Sequence, residues 1–176
     1  MKEKTALIVV DAQVNMFDEK FELYRAKEVL QIIADLLSKA RAANVPVYYL
    51  QNEGSAGDPD ERGTEGWKIC PTIAPKEDEA IIPKSKPDGF EGTSLQRQLD
   101  QHGVRSLVVV GMQSEFCVSA TCAGARSRGF KVTLVKDGHT TFNGKERTAS
   151  EIIQSCNEAL KGKVELRPAA EIDFKR

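Results

Sequence analysis

The sequence predicts an α/β fold in which a parallel β-sheet is covered on both faces by helices. Three observations carry this reading. Short apolar runs alternate along the chain with stretches of helical periodicity, the pattern of strands joined by helical crossovers. The first run, "TALIVVD", is nearly continuous rather than alternating, as in a strand buried on both faces. The 176 residues suffice for one well-buried domain and are short for two, so residues 1–176 are expected to form a single domain.

Thr5 to Asp11 is the first strand. From Glu22 to Ala43, the apolar set Val29, Leu30, Ile33, Leu36, Leu37 and Ala40 has helical spacing. Pro46 breaks that helix, and "PVYYL" reads as the second strand. "EAIIPK" is a short third. "TSLQRQLDQHG" is a short helix, with Thr93 and Gln96 as a capping box and Gly103 at its C-terminal end. "SLVVVG" and "KVTLVKD" are the fourth and fifth strands. "GKERTASEIIQSCNEAL" is a helix, with Asn143 and Glu146 as its cap pair. "KVELRP" is a sixth strand. The one long irregular segment, Asn52 to Ala80, is rich in Gly, Pro and acidic residues. A segment of that length is either a lid or binding loop, or a surface excursion.

Hydrophobic residues make up 40% of the chain and charged residues 29%, with a net charge of −1. This balance offers no electrostatic case for nucleic acid or an acidic membrane. No apolar run reaches membrane-spanning length. "MKEKTALIVVDAQ" reads as a first strand rather than a signal peptide. The cysteines Cys70, Cys117, Cys122 and Cys156 form no CxxC pair and lack zinc spacing, so reduced thiols, a cytoplasmic location and no metal site are expected. No GxGxxG follows the first strand, which disfavours a dinucleotide, and no cofactor is expected.

In open parallel sheets, ligands bind beyond the carboxyl ends of the strands. The polar residues there are Asp11 and Gln13; Gln51, Asn52 and Glu53; Lys84; Gln113, Ser114, Glu115 and Cys117; and Asp137 and His139. Asp11, directly after "LIVV", needs a partner or caps a turn. Lys84 is a site residue or a solvated lysine, with Lys86 as a weaker rival. If Ser114 is an N-cap, Cys117 is the third residue of a helix, whose dipole and free N–H groups favour a thiolate and can hold an oxyanion. The alternative is a structural cysteine. His102 enters the fourth strand from the wrong end, so His139 is the one histidine placed to serve Cys117. Otherwise the base is a carboxylate, Asp11, with a lysine beside it.

The chain resembles the isochorismatase-like cysteine hydrolases, which include nicotinamidases, N-carbamoylsarcosine amidases and ureidoacrylate hydrolases. The resemblance lies in "ALIVVDAQVNMF", "GFEGTSLQRQL", "VVVGMQSEFCVSATCAGARSRGFKVTLVKDGHTTF" and "IIQSCNEAL", and spans nearly the whole chain. It implies a three-layer α/β/α sandwich around a six-stranded, mainly parallel sheet. It also implies an Asp-Lys-Cys triad on Asp11, Lys84 and Cys117. Lys84 is preferred to Lys86 by its distance from Phe90. A cis peptide at Met112–Gln113 and an oxyanion hole of the Gln113 and Cys117 N–H groups are implied as well. Two departures narrow the activity. The region "LQNEGSAGD" has no histidine, so the nicotinamidase metal site is missing. Isochorismatases that cleave an enol ether typically lack the cysteine, and its presence points to covalent acyl transfer.

The expectation is therefore hydrolysis of an amide-like C–N bond in a small molecule. Phe17, Trp67, Phe90, His139 and Phe142 are candidate pocket walls. Glu115 either faces a cationic group or favours the helix N-terminus. The alternatives are ether hydrolysis of the isochorismatase type and a non-catalytic binding module on the same scaffold. A low-pKa Cys117, alkylated selectively near neutral pH, would separate the first reading from these. The resemblance further implies a homodimer or homotetramer. The expected partner is a small-molecule substrate, with no nucleic acid and no membrane.

Overall fold

Residues 4–174 are described by a computed structural model of the chain. Six strands form one sheet: β1 (Lys4–Val10), β2 (Val47–Asn52), β3 (Ala80–Lys84), β4 (Val104–Met112), β5 (Lys131–Thr140) and β6 (Glu165–Arg167). Their order is β3-β2-β1-β4-β5-β6, and every neighbouring pair is parallel. The order reverses between β1 and β4. That crevice is the topological switch point, where open α/β sheets bind ligands.

The central strands are apolar because both faces are covered. Side chains of Ala6, Ile8, Val10, Val109 and Leu107 enter one core, with α2 (Leu95–Gln101), α3 (Ser119–Ser127) and Leu160 at the end of α4 (Ala149–Leu160). Leu7, Val9, Val108 and Val110 enter the other, with α1 (Ala26–Ala42) and the C-terminal Ile172 and Phe174. Helix α1 buries Val29, Ile33, Leu36, Leu37 and Ala40. Each large aliphatic side chain removed from water there contributes about 1.5–3 kcal/mol. The edge strand β3 carries Pro83, which cannot donate a ladder hydrogen bond and is tolerated only at such an edge.

The expected helix starts shift, each for a local reason. Helix α1 begins at Ala26 rather than Glu22, because Arg25 is left-handed (φ 51°) and the Tyr24 N–H donates to Thr141 O at 3.1 Å. The Thr93–Gln96 box does not form. The Thr93 hydroxyl donates to Gly89 O at 2.6 Å, and Ser94 precedes the first helical residue. Helix α4 starts six residues after Asn143, behind a capping box of Thr148 and Glu151, while Asn143 Oδ1 accepts the Ala149 N–H at 2.8 Å.

Gly111, near the end of β4, has φ +125°, and a Cβ there would lie 2.1 Å from Val10 O. Only glycine lets β4 press this closely on β1. The next peptide bond but one, Met112–Gln113, is cis.

Candidate active site

Asp11 follows β1 in a left-handed conformation (φ 45°), which aspartate tolerates better than most residues. Its N–H donates to Leu50 O at 3.0 Å, and its carbonyl accepts the Gln13 N–H at 2.9 Å. The residue is 1% exposed. Lys84 ends β3, two strands away from β1, and only a side chain of its length can cross β2 to reach Asp11. Its Nζ lies 3.0 Å from Asp11 Oδ2, with no part of the lysine side chain exposed. The same ammonium donates to Asn52 Oδ1 (3.2 Å), Lys86 O (3.1 Å) and Cys117 Sγ (3.3 Å). Its three protons are thus engaged elsewhere, and neither Asp11 oxygen has a well-aligned hydrogen-bond partner. Lys86 contributes its carbonyl, while its exposed ammonium lies 4.0 Å from Glu91.

Cys117 reaches the group from the other side of the switch point. Ser114 is not the N-cap. Gln113 holds that position, and Ser114–Val118 is a π-helical segment that runs into α3. Cys117 is its fourth residue. The Val118 and Phe116 N–H groups both converge on Gln113 O at 3.2 Å. A π-turn of this kind is a common local device at functional sites.

Electrostatics revise the expected state of the thiol. Burial, reinforced by the neighbouring Asp11 charge, pushes the Cys117 thiol up to about 12, against the pull of Lys84. Burial likewise raises the Asp11 carboxyl above its usual value, with Lys84 and the Cys117 thiol opposing the rise. The helix end therefore does not leave a resting thiolate. At neutral pH the proton sits on sulfur, with the Asp11 carboxyl and the Lys84 ammonium beside it.

His139 does not serve Cys117. It is 2% exposed, with Nδ1 2.8 Å from Ser114 Oγ and Nε2 2.9 Å from Asn157 Oδ1. Asn157 Nδ2 donates to Lys136 O, so its Oδ1 is the acceptor. The proton is then on Nε2, and Nδ1 accepts from the serine hydroxyl. Phe90 is a core residue, tilted against Phe130 with ring centres 5.6 Å apart, and the Arg128 guanidinium lies over the Phe90 ring, 4.9 Å from its centre. Phe17 and Phe142 are half-buried against the α1-side core, and Phe142 meets the exposed Phe21 edge-on. Trp67 is half-buried, and its carbonyl accepts from both Gln13 Nε2 and Gln51 Nε2 at 2.9 Å. Glu115 Oε1 accepts the Thr141 hydroxyl at 2.8 Å.

From sequence, Asn52 is one of several polar residues at the strand ends. The structure makes it the neighbour of Lys84, because Asn52 and Lys84 are paired in register across β2 and β3. Among the described residues, no group of three or more His, Cys, Asp or Glu side chains is placed to hold a metal ion.

The parallel sheet brings a buried Asp11, a buried Lys84 and a half-buried Cys117 together at its switch point, in an α/β fold that open parallel sheets share. The isochorismatase domain family matches residues 5–157, and the chain belongs to that family of hydrolases. It is 40% identical over 138 residues to a streptothricin hydrolase of Streptomyces noursei, covering 78% of this chain and 55% of that protein. It thus spans about half the length of that relative. It is 28% identical over 156 residues to the ureidoacrylate amidohydrolase RutB of Acinetobacter baylyi, covering 68% of this chain and 63% of that protein. The crystal structure of an isochorismatase from Pseudomonas putida KT2440 superposes with a TM-score of 0.89 at 28% identity, covering 96% of this chain and 89% of the other.

Proposed function

We propose that this chain is a cysteine-dependent hydrolase of an amide-like C–N bond in a small molecule, acting through a covalent acyl-enzyme. The observation that carries the reading is the Lys84 ammonium, 3.0 Å from Asp11 and 3.3 Å from Cys117 Sγ, with all three residues on different strand ends. The similarity to an amidohydrolase supports the same reading.

Asp11 takes the Cys117 proton as sulfur attacks the substrate carbonyl carbon. Burial raises the thiol, so the proton leaves sulfur for Asp11 as part of the reaction rather than beforehand. Lys84 offsets the negative charge that passes from Asp11 to sulfur. The oxyanion rests on the backbone N–H groups of Gln113 and Cys117. The protonated Asp11 then gives its proton to the leaving nitrogen, the C–N bond breaks and a thioester remains. Asp11 next takes a proton from water, whose oxygen adds to the thioester carbon. Collapse of that adduct expels the Cys117 sulfur, which recovers the proton from Asp11.

The test is a panel of small amides, ureides and carbamoyl compounds, with a mass measurement of the trapped enzyme. Cys117→Ala is expected to lose at least about 10³-fold in turnover, and its mass to show no acyl adduct. Near-wild-type hydrolysis by that variant would sink the proposal.

A further inference from the structure

We propose that Asn52 and Asp60 extend the triad as positioning residues, tying the long loop after β2 to the Lys84 ammonium. The inference rests on the Asp-Lys-Cys reading above and adds to it two residues that touch none of the reacting atoms. Asn52 Oδ1 accepts from Lys84 Nζ at 3.2 Å, and Asn52 Nδ2 donates to Asp60 Oδ2 at 2.7 Å. The side-chain amide therefore has one orientation, its oxygen towards the cation and its nitrogen towards the carboxylate.

The loop is built to keep Asp60 there. The Gly54 N–H donates to Asp60 O at 3.0 Å, and a Cβ on Gly54 would lie 2.2 Å from Asp60 Oδ1. Asp58 Oδ2 accepts the Ser55 N–H at 2.8 Å, and Glu61 Oε2 accepts the Gly57 N–H at the same distance. From the other side, Gln13 holds the main chain of Asn52 in both directions. Its Oε1 accepts the Asn52 N–H at 2.8 Å, and its Nε2 donates to Asn52 O at 3.0 Å. Asn52 is thus fixed at its backbone and at both ends of its amide.

Two effects on the site follow. The Asn52 oxygen sets where one of the three ammonium protons goes, which leaves another aimed at Cys117 Sγ. The Asp60 charge also acts on Asp11. The charged and titratable groups that bear on Asp11 are Lys84 from β3, Cys117 from the segment after β4, and Asp60 from the loop. Burial raises the Asp11 carboxyl most, and Asp60 adds a smaller push in the same direction, towards a better acceptor for the thiol proton.

The experiment measures the rate of Cys117 acylation by p-nitrophenyl acetate against pH for wild type, Asp60→Asn and Asn52→Leu. Asp60→Asn keeps the side-chain volume and removes the charge. Its acid limb is expected to move about half a pH unit lower, because Asp11 ionises more easily. Asn52→Leu is expected to lower the acylation rate about tenfold or more with little change in KM. A fall that Asn52→Gln partly restores would add support. An Asp60→Asn profile that superimposes on that of wild type overturns the proposal, and this variant alone decides if Asn52→Leu does not fold. Whether wild type is acylated at Cys117 at all tests the triad separately.

Discussion

Two thiols five residues apart show what a site adds to a buried cysteine. Cys122, on α3, is fully buried in the core beneath the sheet, and burial alone pushes it up to about 12. Cys117, in the π-helical turn just before, is pushed to the same value, but half-buried and in the company of Asp11 and Lys84. The same resting acidity thus has opposite meanings. Cys122 has no group to take its proton and is a small apolar side chain. Cys117 has a base beside it and a cation to hold the resulting charge. On the proposed mechanism, reactivity at this site comes from neighbours that act during the reaction, not from a pre-formed thiolate.

The largest test of this contrast is Lys84→Met. It strands the Asp11 carboxylate in the interior and is expected to cost about 3–5 kcal/mol in urea unfolding at neutral pH. The deficit should shrink as pH falls and Asp11 takes up a proton. Cys122→Ala, in contrast, is expected to lose about 1 kcal/mol and keep its turnover. Activity lost with Cys122 would mean that the two thiols are not separate in role.

Iodoacetamide labelling read by peptide mass spectrometry sharpens the same point. Labelling of Cys117 is expected to be slow at pH 7 and to climb steadily into the alkaline range, ahead of the inaccessible Cys122. A labelling rate already at its plateau near pH 7 would reinstate a resting thiolate.

The smallest effect concerns His139, which burial holds below its ordinary value of 6.5. A histidine kept neutral by the fold supports stability above that pH, and the support is lost as pH falls from 6.5 towards the lower folded value. Wild type should weaken over that window in thermal melts. His139→Gln should show less of this dependence, while losing about 1–3 kcal/mol from the unpaired Ser114 and Asn157.

That Asp11, Lys84 and Cys117 lie at one edge was legible because strand ends are read from apolar runs and a parallel sheet gathers them there, while the choice of these three among the strand-end residues came from the family resemblance. The strand order and the pairing of Asn52 beside Lys84 depend on contacts between distant segments, which no local pattern encodes. Helix starts were misplaced where several capping residues compete within a few positions, as with Asn143 and Thr148. The helix end at Cys117 can be read from sequence, whereas the burial and the β1 carboxyl that push its thiol up cannot. Phe90 and His139 show the same limit. Their side chains stand near the site in sequence but are taken up by Phe130 in one case and by Ser114 and Asn157 in the other.

Lys84 comes from β3, one of the two edge strands, which is paired on one side only. Edges of sheets open at lower free energy than their centres. The charge balance of the site therefore depends on a strand at the edge of the sheet. In rising denaturant, catalysis should vanish before the core melts, so that activity reports the fraying of β3 while circular dichroism still records a native sheet.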